Sequence, residues 1–99
     1  MLKPMTDIAE RRNDYHQSGF KFVNAELDTG LTFVRIAMGA KRGRDRSEKV
    51  ERNRMNARKA YDSALHFLAA TSVNAQEERT IKEKVGALKS GLEKLGESL

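Results

Sequence analysis

Asp62 and His66 stand four residues apart, a spacing that places a carboxylate beside an imidazole on one helix face. Such a pair could hold the ring in one tautomer for general-base work, or supply two ligands to a metal. The surrounding residues do not build on it. At about 100° per residue, Asp62 and His66 share their helix face with Glu48, Glu51, Arg52, Met55, Arg58, Lys59 and Ser63, which reads as the solvent side. No motif supplies a third ligand, and the Glu-x-x-His pair of helical di-metal sites is missing. An exposed local hydrogen bond is the expected role of the pair, and no metal or cofactor is expected. His16 lies in the N-terminal segment and supports no site. No serine lies in a Gly-x-Ser-x-Gly turn. The stretch Gly39-Ala-Lys-Arg-Gly43 lacks the spacing and the Lys-Ser/Thr ending of a phosphate-binding loop. Catalysis is not expected.

Charge is the stronger signal. Residues 41–60 hold nine Lys/Arg against three Asp/Glu, a local +6 in a chain whose total is +5, so the other 79 residues sum to −1. A localised basic patch is an electrostatic footprint, whereas scattered charge chiefly serves solubility. Lys41, Arg42, Arg44 and Arg46 form its loop part, and Arg52, Arg54, Arg58 and Lys59 extend it along a helix. These eight are the candidate binding residues. Lysine and arginine bind phosphates by displacing counterions, so nucleic acid is one candidate partner. Two features favour acidic protein instead. Glu48–Arg52, Glu51–Arg54 and Arg58–Asp62 can pair along the helix and neutralise much of its charge. No aromatic residue interleaves the run to stack on bases.

Composition bounds the rest. Ninety-nine residues make one domain that buries roughly 65% of its unfolded surface. Apolar residues are 38% and charged residues 33%, which gives a soluble chain with a lean core. A lean core favours self-association, which hides apolar area that so short a chain cannot cover alone. Cysteine is absent, so neither a disulfide nor a thiolate metal site can form, and a reducing compartment suits the chain. The first ten residues lack a long apolar run, and no stretch approaches the roughly 20 apolar residues of a membrane span. A cytoplasmic location is expected.

The elements that must position these residues are helical. Phe20, Val23, Leu27, Leu31, Val34 and Met38 step by three or four and share a face, which Phe22, Phe33 and Ile36 widen. Gly39 follows as a candidate C-cap. A second helix over 46–70 carries Val50, Ala57, Ala60, Tyr61, Ala64, Phe67 and Leu68, with Asp45 and Glu48 as a capping box. A third over 75–97 carries Ile81, Val85, Leu88, Leu92, Leu95 and Leu99, with Asn74 and Glu77 as its capping pair and Gly86, Gly91 and Gly96 off that seam. Ser18-Gly19 interrupts the pattern upstream. The predicted fold is therefore all-α: an antiparallel three-helix bundle over 20–99, with 1–19 a weakly attached segment, short helix or disordered.

Within Asn56-Ala-Arg-Lys-Ala-Tyr-Asp-Ser-Ala-Leu65, Ala57, Tyr61 and Ala64 keep the small–aromatic–small order of one motif. In this the second helix resembles the B helix of a tetratricopeptide-type hairpin. With the third helix it is also similar to the three-helix microtubule-interacting-and-trafficking domains. The resemblance spans roughly a dozen residues and implies a helical hairpin whose groove takes a peptide or helix. The expected function is a non-enzymatic helical protein–protein interaction module, able to self-associate as a homodimer, whose basic loop steers acidic partners. The alternative is nucleic-acid binding through 41–60.

Overall fold

The computed structural model describes the backbone over 4–43 and 47–99, and side chains from Ser18 onward within those spans. Three helices follow one another: α1 (Pro4–Lys41), α2 (Ser47–Leu68) and α3 (Ala75–Lys94). Cross-chain contacts fix their directions. Phe22 meets Phe67 and Gly30 meets Ala60, so α1 and α2 are antiparallel. Lys84 bonds Asn24 and Gly91 meets Val34, so α3 runs back alongside α1. The predicted antiparallel three-helix bundle is the observed fold.

The core is drawn evenly from the three helices: Val23, Leu27 and Val34; Ala57, Tyr61 and Ala64; Ile81, Leu88 and Leu92. The three-or-four spacing of each set puts it on one stripe, and burying those stripes is what holds helices of this length in water. Small residues decide how closely the stripes approach. Gly30 faces Leu88 and Ala60, and Gly91 faces Val34. Gly91 was expected to lie off the α3 seam, yet it is buried within the α1–α3 contact.

Several expectations need correction. Ser18-Gly19 does not break the helix; α1 runs through it unbroken. A Cβ at Gly19 would lie 2.8 Å from Thr71 Cγ2, so the glycine makes room for the α2–α3 turn and is not a helix stop. Gly39 does not cap α1, which continues to Lys41 because Ala40 is buried and keeps the last turn packed. Phe22, Ile36 and Phe67 do not widen the core but stand 43%, 39% and 47% exposed. They sit at the flank of their stripes, and the third helix covers the opposite flank. Helix α2 (Ser47–Leu68) ends at 68 and not at 70, with Thr71 Oγ1 donating to the Phe67 carbonyl (2.7 Å) just beyond its end, and Arg46, its expected first residue, lies outside the described residues. Asp45, its expected cap, lies outside the described residues.

Helix α3 begins as expected. Asn74 accepts from the Glu77 N–H (2.8 Å) while the Glu77 carboxylate accepts from the Asn74 N–H (3.0 Å), a complete capping box. It ends at Lys94 and not at 97. Gly96 takes φ +101°, a left-handed conformation that glycine adopts without steric penalty. Its N–H donates to the Glu93 carbonyl and the Glu97 N–H to the Leu92 carbonyl, each at 3.0 Å. These two bonds are the Schellman termination. Leu99, beyond the turn, is accordingly 39% exposed and not part of the seam.

Candidate functional site

The Schellman turn has a consequence for the basic helix. It swings Glu97 off the α3 axis and back against α2, where its carboxylate bridges Arg54 and Arg58. Arg58 Nη1 donates to Glu97 Oε2 at 3.0 Å, and Arg54 Nη1 donates to Glu97 Oε1. The Glu97 side chain is only 14% exposed. Each arginine also holds a carboxylate of its own helix. Arg54 Nε donates to Glu51 Oε1 (3.2 Å), and Arg58 Nε donates to both Asp62 oxygens at 3.1 Å. Two guanidinium groups thus face three carboxylates. The hydrogen bond from Arg54 holds the Glu51 carboxyl below its usual range, and the bonds that Arg54 and Arg58 donate to Glu51 and Asp62 raise the two guanidinium groups above theirs.

The eight candidate residues therefore separate into groups. Arg54 and Arg58 belong to this ionic cluster and tie α2 to the C-terminal turn. Lys41 is exposed, with its Nζ 3.4 Å from the Lys94 carbonyl. Arg42, Arg52 and Lys59 are exposed and have no carboxylate partner among the described residues; the possible Glu48–Arg52 pair does not form. Arg44 and Arg46 lie outside the described residues. Arg52 and Lys59 line a shallow depression of about 440 Å³ on the outer face of α2, shared with Glu48, Glu51, Met55 and Asn56. Its lining mixes both signs of charge around an exposed methionine.

Asp62 and His66 are not brought together. Asp62 is engaged by Arg58, and the His66 ring stands edge-on to Phe67 with centroids 5.4 Å apart. The predicted local hydrogen bond between them is replaced by the Arg58–Asp62 pair, because guanidinium and carboxylate match in charge and fork geometry. No group of three or more His, Asp or Glu able to hold a metal occurs among the described residues. A second, more apolar depression of about 220 Å³ lies where the α2–α3 turn meets α3, between Leu68, Val73 and Ile81.

Two features escaped the sequence reading. Glu97 carried no motif, since its role depends on a turn that brings it next to residues about forty positions away. The exposed face of α1 was legible as spacing, but its outward orientation was not. No protein-family model, curated protein or solved structure matches this chain. Among the described residues, no helix is long and apolar enough to cross a membrane.

Proposed function

We propose that the chain is a non-enzymatic helical interaction module that binds protein, its own copies included, and draws acidic partners to the end of the bundle where α1 gives way to α2. The observation that carries this reading is the exposure of large apolar side chains on a folded bundle: Phe22, Ile36, Met55 and Phe67 are 39% to 53% exposed. Apolar side chains at such surfaces contribute binding energy when a partner removes them from water. Arg42, Arg52 and Lys59, joined in sequence by Lys41, Arg44 and Arg46, supply positive potential that speeds encounter with acidic protein more than it deepens affinity. The cysteine-free composition suits a reducing compartment such as the cytoplasm. Ala57, Tyr61 and Ala64, which carry the likeness to a tetratricopeptide hairpin, are buried against the rest of the bundle, so they stabilise the scaffold and do not contact a partner.

Nucleic-acid binding is the competing reading, and neutralisation of Arg54 and Arg58 weighs against it. Fluorescence anisotropy separates the two. A labelled poly-glutamate peptide and labelled single- and double-stranded oligonucleotides are titrated at about 50 and about 200 mM salt, a range over which phosphate contacts weaken steeply. Peptide binding that is lost in the Arg42→Ala/Arg52→Ala/Lys59→Ala variant supports the steering role. Oligonucleotide binding that is tighter than peptide binding at low salt and collapses at high salt overturns it.

A further inference from the structure

The ionic cluster on α2 is built in a way that a simple tether between a helix and a turn does not require. Each guanidinium is oriented by a carboxylate of its own helix. Arg54 donates through Nε to Glu51 Oε1 (3.2 Å) and through Nη2 to Glu51 Oε2, while Arg58 donates through Nε to both Asp62 oxygens at 3.1 Å. These are i, i+3 and i, i+4 pairs, made wholly within α2. One Nη1 from each arginine is left over, and the two converge on a single carboxylate. Arg54 Nη1 holds Glu97 Oε1, and Arg58 Nη1 holds Glu97 Oε2 at 3.0 Å. Each arginine thus takes one oxygen, and together they clamp the carboxylate through charge-assisted bonds. Because Glu51 and Asp62 orient the arginines independently of Glu97, the clamp is preformed on α2.

We infer that this clamp is a binding site for an acidic side chain of a partner protein, and that Glu97 occupies it as an autoinhibitory stand-in. Replacing Glu97 by a partner's glutamate or aspartate exchanges carboxylate for carboxylate, so both donors stay paired and the charge of the cluster is unchanged. The resident is held by little else. Besides the two arginines, Glu97 makes one hydrogen bond among the described residues, from its N–H to the Leu92 carbonyl. It joins α3 through Gly96, whose backbone reaches other conformations at little steric cost, and Ser98 and Leu99 beyond it are exposed. The clamp is also within reach of a partner, since the side chains of Arg54 and Arg58 are 22% and 36% exposed.

The site lies at the end of the bundle that carries the exposed positive charge. Lys41 Nζ is 3.4 Å from the carbonyl of Lys94, three residues before Glu97, which sets the close of α1 and its Arg42 beside the close of α3. On α2, Glu51 also borders the depression lined by Arg52, Met55 and Lys59. Glu97 is tethered and competes at an effective concentration on the order of millimolar, so a lone carboxylate displaces it poorly. A run of acidic residues engages the clamp and the surrounding cations together, which selects an acidic protein segment over a small acid. With Glu97 displaced, the clamp itself is neutral, two guanidinium groups against Glu51 and Asp62. Phosphate backbones are bound through net positive charge, which the clamp lacks. The inference rests on the interaction-module reading and gives that reading a site.

Fluorescence anisotropy with a labelled poly-glutamate peptide tests it on the full chain. Glu97→Ala vacates the clamp and is expected to bind the peptide about fivefold tighter than the parent, a size typical of coupled binding. Adding Arg54→Gln and Arg58→Gln to Glu97→Ala is expected to cancel that gain. Glu93→Ala, in the last turn of α3, removes the same charge outside the clamp and serves as the control. Circular dichroism confirms that each variant is folded. No gain in Glu97→Ala, an equal gain in Glu93→Ala, or a gain that survives loss of both arginines overturns the inference. A measurement on the parent needs no variant. Saturating it with the peptide should move the Gly96 and Glu97 amide signals in its NMR spectrum, and binding that leaves them in place overturns the displacement of Glu97. A gain in Glu97→Ala for a labelled oligonucleotide and not for the peptide overturns the choice of an acidic protein. Parent binding that needs Arg42, Arg52 and Lys59 but is indifferent to Glu97 sinks the clamp and leaves the interaction-module reading standing. Absence of peptide binding by the parent and by Glu97→Ala alike counts against both.

Discussion

Gly91 of α3 lies against Val34 of α1 so closely that a Cβ at position 91 would come within 2.6 Å of Val34 Cγ1. Valine cannot turn away, because its branched Cβ restricts it to one main rotamer in a helix. This contact sets the separation of α1 and α3, with Leu88 seated over Gly30 one turn away. Gly91→Ala is expected to destabilise the fold. Overpacking costs about 1–3 kcal/mol, against about 1 kcal/mol gained from helix propensity. Gly86 has nothing within 4 Å of its Cβ position, so Gly86→Ala is expected to stabilise by up to about 1 kcal/mol. Urea denaturation of the two variants checks the contrast.

Gly96 and Glu97 form a second linked pair. Gly96→Ala forces a side chain into φ +101°, at a cost of about 1–2 kcal/mol. Glu97→Gln leaves Arg54 and Arg58 without their shared carboxylate, at a cost of about 1 kcal/mol, since each keeps its partner on α2. Both changes loosen the same turn from α2. The double variant is therefore expected to lose less than the two single losses together, which a double-mutant cycle measures directly.

The capping box at α3 gives a third expectation. Asn74→Ala removes the acceptor for the Glu77 N–H and costs about 1 kcal/mol. Thermal unfolding followed by circular dichroism should show a lowered Tm with the α-helical signal of the folded state preserved.

Acid acts through Glu51. Its carboxyl titrates below its ordinary value of 4.5, chiefly because Arg54 donates to it. A group whose folded value is depressed stabilises the fold above its unfolded value, and that contribution is lost as pH falls through the folded value. Glu51→Gln should thus be slightly less stable than the parent near neutral pH, and the gap should close as pH drops below 4.5. The effect is small because the pair is at the surface. A stability difference that persists unchanged at low pH would exclude the carboxylate as its source.

The bundle was legible because each core stripe recurs at helical spacing, and that spacing does not depend on what the helix packs against. Val23–Leu27–Val34, Ala57–Tyr61–Ala64 and Ile81–Leu88–Leu92 are sequence facts, as are the Asn74–Glu77 box and the Glu51–Arg54 and Arg58–Asp62 pairs, all made within one or two turns. The glycines were misread for the opposite reason. Gly19, Gly39, Gly91 and Gly96 have the same local propensity, yet one accommodates Thr71, one faces solvent, one accommodates Val34 and one ends a helix. Only their neighbours in space distinguish them.

The sequence by itself determined the helices, their core faces and the placing of the positive charge, because these follow from spacing along the chain. The tertiary structure decided the rest. It withdrew Arg54 and Arg58 from the basic patch by delivering Glu97 to them. It turned Phe22, Ile36 and Phe67 to the surface, since a helix in a three-helix bundle has neighbours on only two sides. Whether a residue at the edge of an apolar stripe is core or binding surface depends on which flank the next helix covers, and no local pattern encodes that choice.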